Sequence, residues 1–213
     1  MALSFSVVLK PTGGTMSERA AVIALHYQNE VLHPDGKIRV GVDDETVRER
    51  VIAGAAGMLA LARDRQWPVM HVRIAFRPDY ADCPRNTPIF RKTIELGAVK
   101  EGEWGTEFLA QLQPLDNEQE FIVTHQRLSA FAGTQLDHLL RMLDVRHLVI
   151  GGVAPASVVE HTVRDAADWG YEVTIVAQAC ASGSPELHDA ALRSLALVAQ
   201  VTDVQSLARE KAL

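Results

Sequence analysis

His125-Gln126-Arg127-Leu128-Ser129-Ala130-Phe131-Ala132-Gly133-Thr134 and Gly152-Val153-Ala154-Pro155-Ala156-Ser157-Val158-Val159-Glu160-His161-Thr162 both read as passages from a strand into a helix. Ahead of the first, Phe121-Ile122-Val123-Thr124 is a short apolar, β-branched run. Behind it, Thr134 and Asp137 resemble a helix cap and its acidic helper before Leu136, Leu139, Leu140 and Leu143. Ahead of the second, His147-Leu148-Val149-Ile150-Gly151-Gly152 reads as a buried strand. Pro155 then suits the first turn of a helix and Gly170 its end.

The same alternation extends in both directions. Ala20-Ala21-Val22-Ile23-Ala24-Leu25 is continuously apolar, as expected of a strand covered on both faces. Asp43-Asp44-Glu45 opens a helical stripe through Val47, Val51, Ala55, Met58, Leu59 and Ala62, and the helix is expected to run to about Gln66. Pro68–Ile74 reads as the second strand and Tyr171–Val176 as the fifth. Ser184-Pro185-Glu186 caps a helix to about Val198, Val201 starts a last short strand, and Asp203 opens a terminal helix. The long middle stretch between the second and third strands reads as turn residues and aromatics. Strands alternating with helices predict a single-domain, three-layer α/β/α fold around a mostly parallel six-stranded sheet, of Rossmann-like type. An N-terminal tail, residues 1–18, is expected to precede a domain spanning 19–210.

Composition narrows the function. With 213 residues, 47% of them hydrophobic, one full core can form. A formal charge of -6 without any basic run argues against nucleic acid and anionic membrane surfaces as partners. No apolar stretch approaches the length needed to span a bilayer. Two cysteines, Cys83 and Cys180, in neither a CxxC nor a Cys/His ligand spacing, predict no disulfide framework, no zinc site of that kind and a reducing cytoplasmic setting.

In an open parallel sheet, ligands bind beyond the carboxyl ends of the strands, where strand order reverses. His26, His125 and the turn Ala154-Pro155-Ala156-Ser157 stand at three such ends. Over residues 19 to 207 the chain resembles the isochorismatase-like, or cysteine hydrolase, superfamily. The resemblance is carried by Leu25-His26-Tyr27-Gln28-Asn29, by Arg127, Ser129, Phe131, Gly133 and Thr134, by Gly152-Val153-Ala154 and Val159, and by Thr162, Arg164-Asp165-Ala166 and Gly170–Val173.

That resemblance implies a catalytic Asp at position 26, a Lys at 125 and a nucleophilic Cys at 158. This chain has His26, His125 and Val158 there. A valine side chain has no lone pair, so thioester chemistry at that position is excluded. Imidazole titrates near neutrality, and His26 with His125 could take over proton transfer, one as neutral base and the other as acid. The plainer reading is that they are polar strand-end residues filling a vestigial pocket. A metal bridged by the two histidines lacks a third obvious ligand, because the stretch where metal-binding members carry Asp-x-His is Arg73-Ile74-Ala75-Phe76 here; neither metal nor cofactor is expected.

The resemblance also implies a small-molecule ligand and a homodimer or homotetramer. Tyr27, Gln28, Phe76, Arg77, Trp104, Ala154, Pro155, Ser157 and Val158 are the expected substrate contacts. The middle-segment residues Arg77, Tyr80, Phe90 and Trp104 would form pocket wall or core. Ser157 reads more simply as a helix-start hydroxyl, and Glu160 and His161 as outward-facing helix residues. Two functions follow: a hydrolase of a small organic molecule working without a cysteine nucleophile, or a non-catalytic relative that binds a metabolite or protein partner.

Overall fold

The structure is a computed structural model that describes residues 20–38 and 43–210; the expected tail, 1–18, lies outside the described residues. Six strands form one parallel sheet: β1 (Ala20–Leu25), β2 (Val69–Ile74), β3 (Glu120–His125), β4 (His147–Val153), β5 (Glu172–Ala181) and β6 (Gln200–Thr202). Their spatial order is β3-β2-β1-β4-β5-β6. The chain winds outward from β1 to β3, then returns beside β1 as β4. The reversal between β1 and β4 opens a crevice at their carboxyl ends.

All six residues of β1 are buried, because the two sides of the sheet have separate cores. Ala20, Val22 and Ala24 pack into one with Val51, Ala55, Met58 and Leu59 of α2 (Glu45–Asp64). Ala21, Ile23 and Leu25 pack into the other with Leu136 and Leu140 of α4 (Leu136–Met142), Val163 of α5 (Glu160–Asp168) and Leu195 of α6 (Pro185–Leu195). Burying a side chain the size of Ile23 or Leu25 contributes about 1.5–3 kcal/mol, so this doubly covered strand anchors the fold. Gly151 and Gly152 let β4 lie this close: a Cβ on Gly152 would collide with Leu25, and one on Gly151 would come 2.6 Å from the Tyr27 hydroxyl.

Side-chain caps set three of the helix starts among the described residues as expected. Asp44 accepts from the amides of Thr46 and Val47 at 2.8 and 3.2 Å, Ser184 from Leu187 at 3.2 Å, and Asp203 from Ser206 at 2.7 Å ahead of α7 (Val204–Arg209). Four expectations need correction. Thr134 stands one residue before the cap position of α4, which is Gln135; its hydroxyl accepts from the Leu136 amide at 3.1 Å while donating to Ala130 O at 2.6 Å. α6 ends at Leu195 rather than near Val198. β5 runs on to Ala181, because after a register shift the small residues near Cys180 pair with Gly152 and Val153. The middle stretch is not all turns. After a single helical turn, α1 (Asn29–Leu32), and then α2 and β2, it contains α3 (Pro88–Leu96), which Pro88 starts and Gly97 ends at φ 61°.

Candidate active site

At the end of β1, the His26 amide still donates to Val72 O at 2.9 Å, extending the ladder to β2. The residue then turns at φ 60°, a left-handed conformation that histidine adopts more readily than most side chains but that stores strain. From that turn its ring meets the ring of His125 at the end of β3. The two Nε2 atoms are 2.5 Å apart and the ring centroids 4.8 Å apart. His125 is 0% exposed and His26 8%, so this is a buried imidazole couple with one edge open.

Each ring also has a backbone carbonyl as acceptor: Ser129 O lies 3.3 Å from His125 Nδ1, and Val153 O serves His26. The inter-ring contact needs one proton and the two carbonyls need two more, whereas two neutral imidazoles supply two in total. Burial pushes His26 well below the ordinary imidazole value, and the adjacent His125 adds to the shift. Burial likewise pushes His125 down to about 4, against the pull of the Ser129 carbonyl. Near neutral pH the couple is therefore uncharged and one proton short of filling its acceptors.

His26 lines a cavity of about 230 Å³. Ile74, Phe90, Leu128, Val153 and Val158 supply apolar wall, while Lys37, Lys92 and Arg127 supply the charged lining. Val158 stands in the turn Pro155–Val159, which is wider than an α-helical turn and runs directly into α5. That width explains a departure from expectation. Ser157 makes no capping hydrogen bond, and it lines the cavity together with its neighbour Val158. The Ser157 carbonyl accepts from the exposed His161 ring at 2.9 Å.

Of the expected substrate contacts, Ala154, Ser157 and Val158 line this cavity with His26; the others do not. Tyr27 is buried in the α2-side core, its hydroxyl donating to Ala179 O at 2.8 Å. Gln28 clamps the backbone, accepting from Ile74 N at 2.8 Å and donating to Ile74 O at 2.9 Å and Thr106 O at 3.1 Å. Phe76 is core, packed edge to face with Phe90. Arg77 pairs with Asp79 in an exposed turn, Trp104 stands beside His33 at a separate hollow, and Pro155 is buried outside the cavity wall. His125 lies behind His26 and is not a wall residue. Lys37, Lys92, Thr93 and Arg127 are wall residues that sequence reading missed. The amphipathic run Ile89-Phe90-Arg91-Lys92-Thr93-Ile94, between Pro88 and Gly97, was the available signal for α3.

The thiols stand apart from this chemistry. Cys180 is fully buried in β5 and pushed up to about 12 by burial; Cys83 is also raised by burial, and neither lines the cavity. Among the described residues, no group of three or more His, Cys, Asp or Glu side chains is placed to hold a metal ion, and no helix is long and apolar enough to cross a membrane.

A parallel 3-2-1-4-5-6 sheet, with His26 of the imidazole couple beside its reversal point, defines an α/β protein of the Rossmann-like class. The chain belongs to the isochorismatase family: the Isochorismatase domain matches residues 20–206. It is 28% identical over 178 residues to ureidoacrylate amidohydrolase RutB of Caulobacter segnis, covering 78% of this chain and 74% of that one. With the RutB of Cronobacter sakazakii the identity is 27% over 203 residues, covering 89% and 87%. An isochorismatase family protein from Desulfovibrio vulgaris superposes with a TM-score of 0.79 at 27% identity, covering 89% of this chain and 96% of its own. A cysteine hydrolase from Pseudomonas syringae pv. phaseolicola shares the fold with a TM-score of 0.80 at 23% identity, with 98% of each chain covered.

Proposed function

We propose that this isochorismatase-family protein acts on a small organic molecule by proton transfer through His26 and His125, with no covalent enzyme intermediate. On this reading His26, His125 and Val158 occupy the positions of the family's Asp, Lys and Cys. The observation that carries it is the Nε2-to-Nε2 contact at the edge of a cavity whose wall holds Val158 and no thiol. A couple one proton short of its acceptors can take a proton from an attacking water, hold it between the two Nε2 atoms and return it to the leaving group. The bond broken is an amide-type or enol-ether bond; the similarity to proteins named amidohydrolases favours the amide.

A specific observation favours a second reading, binding without turnover. Each Nε2 is already engaged by the other, and His125 is sealed from the cavity. Screening amides, enol ethers and aromatic acids for thermal stabilisation and for product decides between them, since a ligand at a hundredfold over its Kd adds about 2.7 kcal/mol. For a substrate so found, His26→Ala and His125→Ala each abolish turnover with the far-UV spectrum unchanged. Full turnover in either variant refutes the proton-transfer role, and stabilisation without product from any ligand supports the binding reading.

A further inference from the structure

We infer that the cavity selects a compact carboxylic acid, its apolar body against Ile74, Phe90, Leu128 and Val158 and its carboxylate at a basic rim made by Lys37, Lys92 and Arg127. This deepens the small-molecule reading: it rests on the cavity being the ligand site, and it does not require turnover.

Charge distribution is the first ground. The chain has 27 acidic against 21 basic residues, yet the described residues lining this cavity include three cations and no carboxylate. Those cations come from three separate parts of the fold: the segment after α1, the middle of α3 and the segment after β3. A random sample of this surface would favour acids, so the rim is a local reversal of sign. In a cleft with apolar walls, such a reversal concentrates anions.

The partners of these cations are the second ground. Lys37 Nζ donates to Gly97 O at 2.8 Å and is 3.9 Å from Glu103, and Lys92 Nζ is 3.0 Å from Glu95. Both are exposed pairs, and exposed pairs are readily exchanged. Arg127 donates to the neutral carbonyl of Gln126 at 2.9 Å and has no carboxylate partner among the described residues. A guanidinium in that state presents a planar fork suited to a carboxylate in two parallel hydrogen bonds.

Size is the third ground. At about 230 Å³ the cavity falls below the roughly 300–1,000 Å³ typical of pockets for drug-sized ligands, so the acid is a small one. Apart from the rim, only His26, Thr93 and Ser157 among the described residues break the apolar lining. The body of the ligand therefore contributes affinity by burial and its head by charge.

The test is isothermal titration of the full chain with benzoate, phenylacetate and hexanoate, each against its own amide, with inorganic phosphate as a headgroup control. The expected result is that at least one acid binds about tenfold or more tighter than its amide. Arg127→Gln, an exposed substitution whose folding is checked by circular dichroism, then brings that acid down to the level of the amide and leaves the amide unaffected. Lys92→Gln gives a smaller loss in the same direction. Equal binding of acid and amide, or phosphate binding as well as the best acid, overturns the inference. Amides binding in preference to acids overturns the anionic class while leaving the cavity as the ligand site. Binding of neither sinks the inference and the ligand-site reading together.

Discussion

Strand β3 begins and ends in a buried polar cluster, and the two clusters are built on opposite principles. At its start, Glu120 accepts from Arg63 Nε and Nη2 at 2.8 and 3.0 Å, from His71 Nε2 at 2.8 Å and from the Leu115 amide at 2.9 Å. Burial pushes this carboxyl up, but the hydrogen bonds from Arg63, Leu115 and His71 outweigh it and hold the group at about 2. At the other end, His125 has one ring and one carbonyl as partners, no countercharge, and a cavity beyond its neighbour. Glu120 is a charge with its acceptor capacity used, tying α2, β2 and β3 together. The imidazole couple is a neutral group with unused capacity. Strong perturbation alone does not separate a functional group from a structural one; what separates them is whether the partners present already satisfy the group.

The sharpest way to break this contrast is to remove the carboxylate. Glu120→Ala leaves Arg63 and His71 facing each other without their common partner, and breaking a buried pair on one side costs about 3–5 kcal/mol. We expect a loss of that order in urea unfolding and an unchanged Kd for any acid that binds the cavity. Weakened binding without loss of stability would reverse the roles assigned to the two ends of β3.

Acid titration sharpens the contrast, because the two clusters respond in different windows. His125 sits at about 4 in the fold against 6.5 ordinarily, so between those values the unfolded chain binds the proton more readily. Its contribution is therefore complete above about 6.5 and is lost as pH falls toward 4. Glu120, at about 2 against 4.5, contributes fully above about 4.5 and loses that only in stronger acid. For His125 stability is expected to fall by about 1.5 kcal/mol between pH 6.5 and 5, the slope rising from half of about 1.36 kcal/mol per unit of pH at 6.5 toward that limit below it. His71, His147 and His188, also lowered by burial, add to the slope. The double substitution His26→Gln with His125→Gln should flatten it to what those three leave. An unchanged slope would mean that the two rings titrate in the fold as they do in the unfolded chain, so that burial does not lower them.

How much was legible follows the same physical division. The strands, the helix after Asp44 and the junctions at His125 and Gly152 could be read because doubly buried strands and capped helices impose local patterns. His26 and His125 could be placed at strand ends, but their meeting could not be read. It depends on the left-handed turn at His26 and on β2 being the only strand between them. The cavity wall was the least legible part. Tyr27 and Gln28 follow His26 directly, yet one points into the α2-side core and the other clamps Ile74 and Thr106. The basic rim was invisible because Lys37, Lys92 and Arg127 are distant in sequence and converge only through the fold.

The smallest expected effects belong to the thiols, and they test the contrast from the other side. Cys180 lies in β5 opposite Gly152, one strand from the imidazole couple, and it resembles that couple in being buried and strongly perturbed. Unlike the couple, it has no face on the cavity, and a thiol pushed up to about 12 stays protonated and unreactive at neutral pH. Cys180→Ala should cost about 1 kcal/mol, the ordinary price of a small core truncation, and leave ligand binding and any turnover intact. Cys83→Ala should do the same at lower cost, because that thiol packs in a loop against the carbonyls of Pro84 and Phe90. If either substitution abolished turnover while the unfolding midpoint held, sulfur would have to reach the reacting atoms, and the reading of His26 and His125 as the proton-transfer groups would fall.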